Sequence, residues 1–313
     1  MTTPATTPTS DPQPLAPVPR SPRRLVYLGT PEMAVRPLQA LVDAGFEVPL
    51  VVSATDKRRG RGGALVPSPV KAAAINLHLT VSDRVEDATD CGADLGVVVA
   101  FGRLIRRPVL ERLPMVNIHF SLLPRWRGAA PVERSLLAGD AETGTCLMQL
   151  EVGLDTGPVF DRVVVPIGPR ETAAELRERL VAAGSEQLVR CLTAGLGEPA
   201  AQTGEASYAA KFDAAEFCLD WSQPAEALDR WVRVGGVWTT FRDRRLKVLA
   251  AQPVPGDART DAHTEPGALD GVVVACGHGA LRLVTVQPEG KGPMAAEAWA
   301  NGARPAPGER LGR

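Results

Sequence analysis

Short apolar runs alternate with helical segments through the first two thirds of the chain, and this alternation restricts the possible folds most. The runs are RLVYLG (24–29), VPLVVS (48–53), DLGVVVAFG (94–102) and MVNIHF (115–120). Residues typical of helix ends lie between them. Thr30 and Pro31 predict the N-terminus of a first helix that ends at Gly45, and Ser68 and Pro69 predict the N-terminus of a second. Residues 94–102 are apolar on both faces, as expected of a central parallel strand. The pattern predicts an open α/β sheet with helices on both faces.

The segments that follow extend this sheet and then change character. TCLMQLEV (145–152) and VFDRVVV (159–165) predict two more strands, and Thr172 with Glu175 forms a capping box before a long helix. After about residue 205, one helix near 223–234 precedes short apolar runs separated by turns, which predicts a small barrel-like β domain. We therefore expect a disordered Thr/Pro-rich tail over 1–22, an α/β domain over 23–205 and a β domain over 206–313.

Charge and cysteine content exclude several classes of protein. The 313 residues include 35 Lys and Arg against 36 Asp and Glu, so contact with nucleic acid would require a local basic patch. No apolar run approaches the ~18 residues of a membrane span, and the first residues lack the apolar stretch of a signal peptide. The five cysteines are scattered without a CxxC pair, which argues against a disulfide framework and a zinc site. A reducing cytoplasm fits this usage.

Two polar residues interrupt an apolar strand and point to chemistry. Asn117 and His119 are two apart in the run at 115–120, so both side chains share one face of the predicted strand. They lie near its carboxyl end, where open α/β sheets bind ligands. The alternative is a core histidine that is merely hydrogen-bonded next to an amide.

Two loops are the other candidates for function. SLLPRWRGAAP (121–131) follows this strand directly and is long and apolar enough to grip a flat heteroaromatic ligand. EVGLDTGPVF (151–160) places Asp155 between Gly153 and Gly157, and the glycines allow tight backbone geometry beside a reacting group. A simple Asx turn at Asp155 and an ordinary connecting loop at 121–131 are the structural alternatives.

The motifs that are missing narrow the chemistry. The first strand ends in GTP rather than a dinucleotide-binding GxGxxG, and the chain contains neither a GxxxxGK[ST] phosphate loop nor a GxSxG nucleophile elbow. Asn, His and Asp without a nucleophilic Ser or Cys suit a transfer whose substrate supplies the nucleophile. Asn117 and His119 would then stabilise an oxyanion, while Asp155 pairs with His119 and favours its charged form.

A basic, glycine-rich stretch at 55–67 is a candidate for binding RNA. It carries Lys57, Arg58, Arg59 and Arg61 among glycines, although a solvated surface run is the alternative. Residues 206–313 carry 13 basic and 13 acidic residues, so an RNA role there depends on the cluster Arg242, Arg244, Arg245 and Lys247.

Longer strings around these motifs carry a family resemblance. They are NIHFSLLPRWRGAAPVERSLLAGDAETG with MQLEVGLDTG, together with LGTPEMA (28–34), GRG…PSPVK (60–71), VVAFG (98–102), YAAKF (208–212) and Trp-Ser at 221–222. From about residue 25 onward, the chain closely resembles the methionyl-tRNA formyltransferase family. N-x-H, SLLP and D-x-G are shared by formyltransferases that use 10-formyltetrahydrofolate, whereas RWRGAAP and YAAKF are more specific to the tRNA family.

The resemblance implies a fold, a reaction and a set of site residues. It implies an open, mostly parallel Rossmann-like sheet, then an OB-like barrel, and formyl transfer from 10-formyltetrahydrofolate to the α-amino group of methionine on initiator tRNA. The basic stretch would enter the acceptor stem and the C-terminal domain would hold the tRNA. A cytoplasmic monomer with no metal and no membrane contact is expected. The implied catalytic residues are Asn117, His119 and Asp155, and the implied folate-site residues are Ala100, Phe101, Gly102, Ser121, Leu122, Leu123 and Pro124.

Some positions depart from the family pattern. Phe120 stands where a small residue is expected, which would reshape the edge of the folate site, and Arg103 stands where an aliphatic residue is usual. VRVGGVWTTF (232–241) lacks an expected proline-containing segment.

Three other functions remain open at this stage. The first is a formyltransferase for an amino sugar or small ribonucleotide, which would not need a basic C-terminal domain. The second is a non-catalytic RNA-binding protein, which would not require Asn117, His119 and Asp155 beside SLLP. In the third, water replaces the amine and formyltetrahydrofolate is hydrolysed.

Overall fold

A seven-stranded sheet forms the core of the first part of the chain. The computed structural model describes residues 14–59, 63–254, 265–306 and 308–312. The strand order is β10-β9-β7-β6-β1-β2-β5. Strands β1, β2, β5, β6 and β7 pair in parallel, while β9 runs antiparallel to β7. The strands of this part are β1 (Arg24–Gly29), β2 (Glu47–Val52), β3 (Lys57–Arg59), β4 (Ala64–Val66), β5 (Val81–Ser82), β6 (Leu95–Val99), β7 (Met115–His119), β8 (Arg127–Gly128), β9 (Glu142–Gln149) and β10 (Val159–Pro166).

Helices connect these strands and start largely where their caps predict. They are α1 (Val35–Asp43), α2 (Pro69–Asn76), α3 (Arg107–Leu110), α4 (Pro131–Ala138) and α5 (Ala173–Ala194), with short 3-10 helices at Glu32–Ala34 and Glu86–Thr89. Ser68 caps α2 by accepting a hydrogen bond from the Lys71 N–H. The capping box before α5 is also present, because the Thr172 N–H donates to Glu175 and the Glu175 N–H donates to the Thr172 hydroxyl. The predicted strands and helices of the sheet are therefore confirmed.

The predicted start of the first helix is wrong. Thr30 does not cap it, since its hydroxyl donates to the Phe101 carbonyl oxygen at 3.3 Å. Pro31 has an extended backbone and is followed by the 3-10 turn Glu32–Ala34, and only then does α1 begin. Proline offers no side-chain acceptor for the first N–H groups of the helix, so the turn tightens before the regular helix starts.

The C-terminal part is an antiparallel β domain, as its alternating apolar runs predict. Its six-stranded sheet has the order β12-β13-β16-β15-β14, with β17 paired to β16. Its core includes Trp221, Leu228, Val248, Leu281 and Trp299. The elements are β11 (Tyr208–Ala209), a 3-10 helix (Ala214–Phe217), α6 (Ala225–Val234), β12 (Trp238–Phe241), β13 (Arg244–Pro253), β14 (Leu269–Asp270), β15 (Val273–Ala275), β16 (Ala280–Pro288), β17 (Met294–Ala295) and α7 (Ala296–Ala303).

Residue contacts divide the chain into two units that alternate along the sequence. Unit 1 comprises the described residues of Met1–Arg127, Thr145–Val163 and Val181–Glu205. Unit 2 comprises those of Gly128–Gly144, Val164–Leu180 and Ala206–Arg313. The domain boundaries at 22 and 205 stay predictions.

The predicted tail and loops lie partly outside the described residues. Residues 1–13 of the predicted tail and residues 60–62 of the basic stretch fall outside them. Closer to the sheet, the Ala16 N–H donates to Leu110 O at 3.1 Å and the Leu196 N–H donates to Arg20 O at 2.7 Å, so residues near the end of the predicted tail contact unit 1. The basic stretch is a hairpin rather than a plain loop, because β3 pairs with β4.

Cysteine pairing and membrane-spanning helices can be checked directly. All five cysteines are described, and all are free thiols. Cys146 and Cys276 are buried, and burial raises the pKa of the Cys276 thiol to about 12. Among the helices in the described ranges, none has the length and apolar character needed to cross a bilayer.

Candidate active site

Strand β7 places Asn117 and His119 on one face and their apolar neighbours on the other. A Cβ added to Gly184 of α5 would lie 3.0 Å from Ile118 Cγ2 and 3.6 Å from Phe120 Cε1, so both side chains point toward this helix. Phe120 therefore packs on the side away from Asn117 and His119, and its effect on the folate-site edge stays a prediction. The glycine is needed for Ile118, whose Cγ2 a Cβ would crowd, whereas the distance to Phe120 is an ordinary contact.

The Asn117 side chain is buried without an internal partner. It is 9% exposed, and within the described part of the chain its amide makes no hydrogen bond. Buried polar groups are nearly always paired, but the Asn117 amide is not sealed, since it keeps access to solvent at the carboxyl end of a central strand. A ligand that reaches this end of the strand could complete its hydrogen bonding.

His119 lies between two hydrogen-bond acceptors. It is 5% exposed, its Nε2 is 2.8 Å from the Trp126 carbonyl oxygen, and its Nδ1 is 3.7 Å from Asp155 Oδ2. Nε2 is the donor, because a carbonyl oxygen only accepts. The contact between Nδ1 and Asp155 Oδ2 is longer than a hydrogen bond. The structure thus brings together the three residues that the sequence predicts for catalysis.

Strained backbone surrounds this group. Ala100, Trp126 and Asp155 have φ angles of +45°, +61° and +51°, a region that residues other than glycine rarely adopt. Such conformations cost about 1–3 kcal/mol each and cluster at functional sites. Close to Asp155, a Cβ at Gly157 would collide with the Gln149 carbonyl oxygen, so glycine is required there. The tight turn predicted for Asp155 is present.

Side chains of the SLLP segment mostly stabilise the loop that contains them. The Ser121 hydroxyl donates to the Arg125 carbonyl oxygen at 2.6 Å, and Leu123 is buried against Cys146 and Met148. The Leu123–Pro124 peptide bond is cis. Of the predicted folate-site residues in this segment, Leu122 and Pro124 keep partial exposure, while Ser121 and Leu123 support the loop from below.

The predicted folate-site residues after β6 also include both buried and exposed positions. Phe101 is buried in the core beneath the sheet, whereas Ala100 is partly exposed and Gly102 is exposed. The Arg103 guanidinium lies over the Phe101 ring and donates to Asp83 O at 2.6 Å, which gives this unusual residue a structural role.

A cavity of about 320 Å³ opens at the carboxyl ends of β1 and β2 in unit 1. Ligands of open α/β sheets bind outside this edge of the strands. Strand β1 is two positions from β7 in the sheet, and strands are spaced by roughly 4.8 Å, so the cavity lies along the same edge as His119. It is lined by Thr30, Pro31, Glu32, Ala54, Thr55, Lys57, Val66, Ser68 and Pro69.

The basic hairpin presents part of its predicted RNA-binding set. Lys57 and Arg58 are exposed on β3, and the Arg58 guanidinium donates to Gly63 O at 3.3 Å. The backbone of Arg59 pairs with Ala64, and Arg61 lies outside the described residues.

The four basic residues of the C-terminal cluster differ in their surroundings. Arg242 donates to both carboxylate oxygens of Glu309 at 2.6 and 2.8 Å, and this contact lowers the pKa of Glu309 to about 2. Arg244 lies 4.0 Å from a Glu289 carboxylate oxygen. Arg245 lies over the Trp238 ring at 4.3 Å, and Lys247 is exposed two residues further along β13. Arg245 and Lys247 therefore share one face, while carboxylates partly neutralise the other two.

Sequence reasoning missed one side chain in this site. Gln202, from the segment after α5, hydrogen-bonds to the turn that carries Asp155. Its surroundings in sequence, GEPAAQTGE, show no periodicity or motif that would identify it.

Comparison with protein families identifies the class of protein. The formyl transferase model matches residues 23–192, and the model of the formyl transferase C-terminal domain matches residues 211–304. The buried Asn117, the His119–Asp155 pair and the mostly parallel sheet thus belong to a formyl transferase fold.

Sequence relatives define the family more narrowly. A methionyl-tRNA formyltransferase of Thiobacillus denitrificans is 43% identical over 310 residues, covering 92% of this chain and 99% of the relative. One from Symbiobacterium thermophilum is 41% identical and covers 89% and 92%. The chain belongs to the methionyl-tRNA formyltransferase family.

Solved structures with lower identity share the fold. An N-formyltransferase from Helicobacter canadensis, in complex with folinic acid and dTDP-3-aminofucose, has a TM-score of 0.63 at 17% identity and covers 83% of this chain and 98% of its own. HypX from Aquifex aeolicus, in complex with tetrahydrofolic acid, has a TM-score of 0.60 at 17% identity, with 89% of this chain matched to 47% of HypX. This chain thus spans about half the length of HypX.

Proposed function

We propose that this chain transfers the formyl group of 10-formyltetrahydrofolate to the α-amino group of methionine on initiator methionyl-tRNA. The observation that carries the proposal is the buried, unpartnered Asn117 amide next to the His119–Asp155 pair. Family membership supports the choice of reaction, and the relatives named methionyl-tRNA formyltransferase support the choice of acceptor.

The roles of the three residues follow from the charge that develops during transfer. The methionyl amine attacks the formyl carbon, negative charge builds on the formyl oxygen, and the bond from carbon to folate N10 breaks. The Asn117 amide donates to that oxygen, and one such donor typically lowers the barrier by about 2.7–4 kcal/mol. His119, held between Trp126 O and Asp155, faces the same oxygen, and the proton that leaves the amine reaches N10 through water or the side chains of the site. No residue of the chain forms a covalent bond to the formyl group in this scheme.

The folate donor is consumed, so it is a substrate, and the exposed atoms of the site suit it. A pterin ring requires apolar contact with a few polar groups, which the partly exposed Leu122, Pro124 and Ala100 offer beside the Asn117 amide. We propose these residues, with the main chain of 100–102 and 121–124, as the donor site.

The acceptor is proposed to bind through the basic hairpin and the C-terminal domain. Lys57, Arg58, Arg59 and Arg61 would contact phosphates of the acceptor stem, and Arg245 with Lys247 would add a second contact. We further propose that the enzyme acts as a cytoplasmic monomer, without metal and without membrane contact.

The direct test is formyl transfer itself. The purified protein is incubated with labelled 10-formyltetrahydrofolate and one of four acceptors: methionyl initiator tRNA, uncharged initiator tRNA, an amino sugar nucleotide, or water alone. Label on the charged initiator tRNA only is the expected result. Label on the sugar nucleotide, or release of formate at an equal rate without tRNA, would contradict the proposal.

A further inference from the structure

Gln202 lies beside the turn that carries Asp155. The Val159 N–H donates to Ala200 O at 2.8 Å, and the Ala200 N–H donates back to Val159 O at 2.9 Å. This two-bond bridge fixes the segment after α5 against the start of β10. It brings the Gln202 side chain, two residues later, next to the carbonyl groups of the turn.

Every hydrogen-bonding position of the Gln202 amide is used. Its Nε2 donates to the carbonyl oxygens of Asp155 and Gly157, each at 2.8 Å. Its Oε1 accepts from Nε of Arg127 at 3.1 Å and from a terminal nitrogen of the same guanidinium at 2.7 Å. An amide has two N–H donors and two acceptor positions, so its capacity is filled. If the amide were flipped, its oxygen would face the two carbonyl oxygens and its NH₂ group would face the N–H groups of the guanidinium. The four partners therefore fix the orientation of the amide.

These four bonds join the two segments that hold His119. Arg127 directly follows Trp126, whose carbonyl oxygen is 2.8 Å from His119 Nε2. Asp155, on the other segment, places its carboxylate 3.7 Å from His119 Nδ1. Both Trp126 and Asp155 have positive φ angles, a conformation that needs restraint from the surroundings to persist.

We propose that Gln202 is a positioning residue, which holds the Asp155 turn and the Trp126–Arg127 segment at the separation that keeps His119 between its two acceptors. The proposal rests on the catalytic roles proposed above for His119 and Asp155. Gln202 acts through these residues and contacts neither substrate.

Two substitutions separate the contacts of Gln202. Gln202→Met keeps the length of the side chain and removes all four hydrogen bonds. Gln202→Glu keeps the acceptor for Arg127 but turns an oxygen toward the carbonyls of Asp155 and Gly157. We expect both variants to lose kcat by roughly 10- to 100-fold, with KM for donor and tRNA little changed, since small displacements of catalytic groups have effects of this size.

Gln187→Met is the matched control. Gln187 is a fully buried glutamine of unit 1, bonded to Thr145 and to Asp161 but to neither segment around His119. It should lower stability without a selective loss of kcat.

Two readouts separate positioning from general structural support. The first is the NMR signal of the His119 ring at one fixed pH, assigned with His119→Ala among the four histidines of the chain. Its ring chemical shifts should move in Gln202→Met toward those seen in Asp155→Asn, and should stay in place in Gln187→Met. The second is a single-turnover cycle, in which adding Gln202→Met to Asp155→Asn should cause little further loss, because residues that act as one unit are not additive.

An unmoved His119 ring signal together with additive losses would overturn the positioning role. Near-normal turnover of Asp155→Asn alone would instead overturn the proposed function, so the two failures are distinct. Where Gln202→Met does not fold, Gln202→Glu supplies both readouts, since it retains the contact with Arg127.

Discussion

Among single residues, Asn117 and Thr143 both carry a buried polar group without a hydrogen-bond partner in the described part of the chain, but they differ in their access to solvent. Both are buried and lack a hydrogen-bond partner within the described chain, but the Thr143 hydroxyl is sealed from solvent in β9 whereas Asn117 retains some exposure at the strand end. A sealed unpaired group can only destabilise the protein, whereas one that a ligand can reach is satisfied on binding.

Asn117→Ala should therefore damage catalysis more than folding. We expect kcat to fall by about 10²- to 10³-fold, the usual effect of removing one oxyanion donor. Thermal stability should change little, since the amide has no internal bond to lose. Thr143→Val is the control and should leave turnover unchanged without loss of stability. The measurements are steady-state formylation and thermal unfolding, and near-normal turnover of Asn117→Ala would exclude the oxyanion role.

Asp155 and His119 should behave as one unit. Asp155→Asn keeps the shape of the side chain but removes the charge that faces His119 Nδ1 at 3.7 Å. We expect its loss of turnover to be at least as large as that of His119→Ala, and the double variant to be little worse than either single one. Single-turnover rates of the four proteins test this, and losses that multiply across the cycle would argue against the pairing.

Local sequence patterns predicted the elements of this site better than the contacts between them. The N-x-H spacing on an apolar strand gave the shared face of Asn117 and His119, because strand geometry repeats every two residues. The capping box of α5 was equally local. In contrast, Gln202 reaches Asp155 across 47 residues of sequence, and Ile118 packs closely because Gly184 lies opposite. Contacts of this kind depend on how elements pack, which periodicity does not encode.

In unit 2, helix α6 is fixed by a buried ion cluster around Asp229. The Asp229 carboxylate is 6% exposed and bonds to Arg170 at 2.8 Å and to Arg233 at 3.1 Å. Both arginines also donate to carbonyl oxygens, Arg170 to Ala251 and Arg233 to Glu171. The carboxylate thus joins three segments of the unit.

Asp229→Ala should destabilise the protein by about 3 kcal/mol. Removing one partner of a buried ion pair typically costs 3–5 kcal/mol, and the half-exposed Arg170 favours the lower end. Glu226→Ala, an exposed carboxylate one turn earlier on α6, should change stability by less than about 0.5 kcal/mol. Urea unfolding followed by tryptophan fluorescence compares the two, and equal midpoints would show that the cluster contributes nothing.

For the whole molecule, charge distribution decides how RNA could bind. The net charge is −1 and residues 206–313 carry balanced charge, so attraction to a polyanion must come from local clusters. The sequence predicts two such clusters. The structure adds that Arg242 donates to the Glu309 carboxylate and that the Arg245 guanidinium lies over the Trp238 ring. The basic hairpin, with exposed Lys57 and Arg58, is consequently the stronger candidate for phosphate contacts.

The salt dependence of tRNA affinity tests this assignment. Changing Lys57, Arg58, Arg59 and Arg61 to alanine should weaken binding and reduce the slope of log affinity against log salt by roughly 0.7–0.9 for each phosphate that the variant no longer neutralises. Donor affinity should hardly change. The control, Arg84→Ala with Arg112→Ala, removes two exposed arginines that face Asp87 and Asp90, and should leave the slope unaltered.

Because phosphate contacts do not depend on base sequence, the hairpin variant should lose affinity for initiator and elongator tRNAs to the same extent. An unchanged slope in the hairpin variant would reject the phosphate contacts and favour a small amine as acceptor. A reduced slope with altered discrimination would show that the hairpin also reads bases.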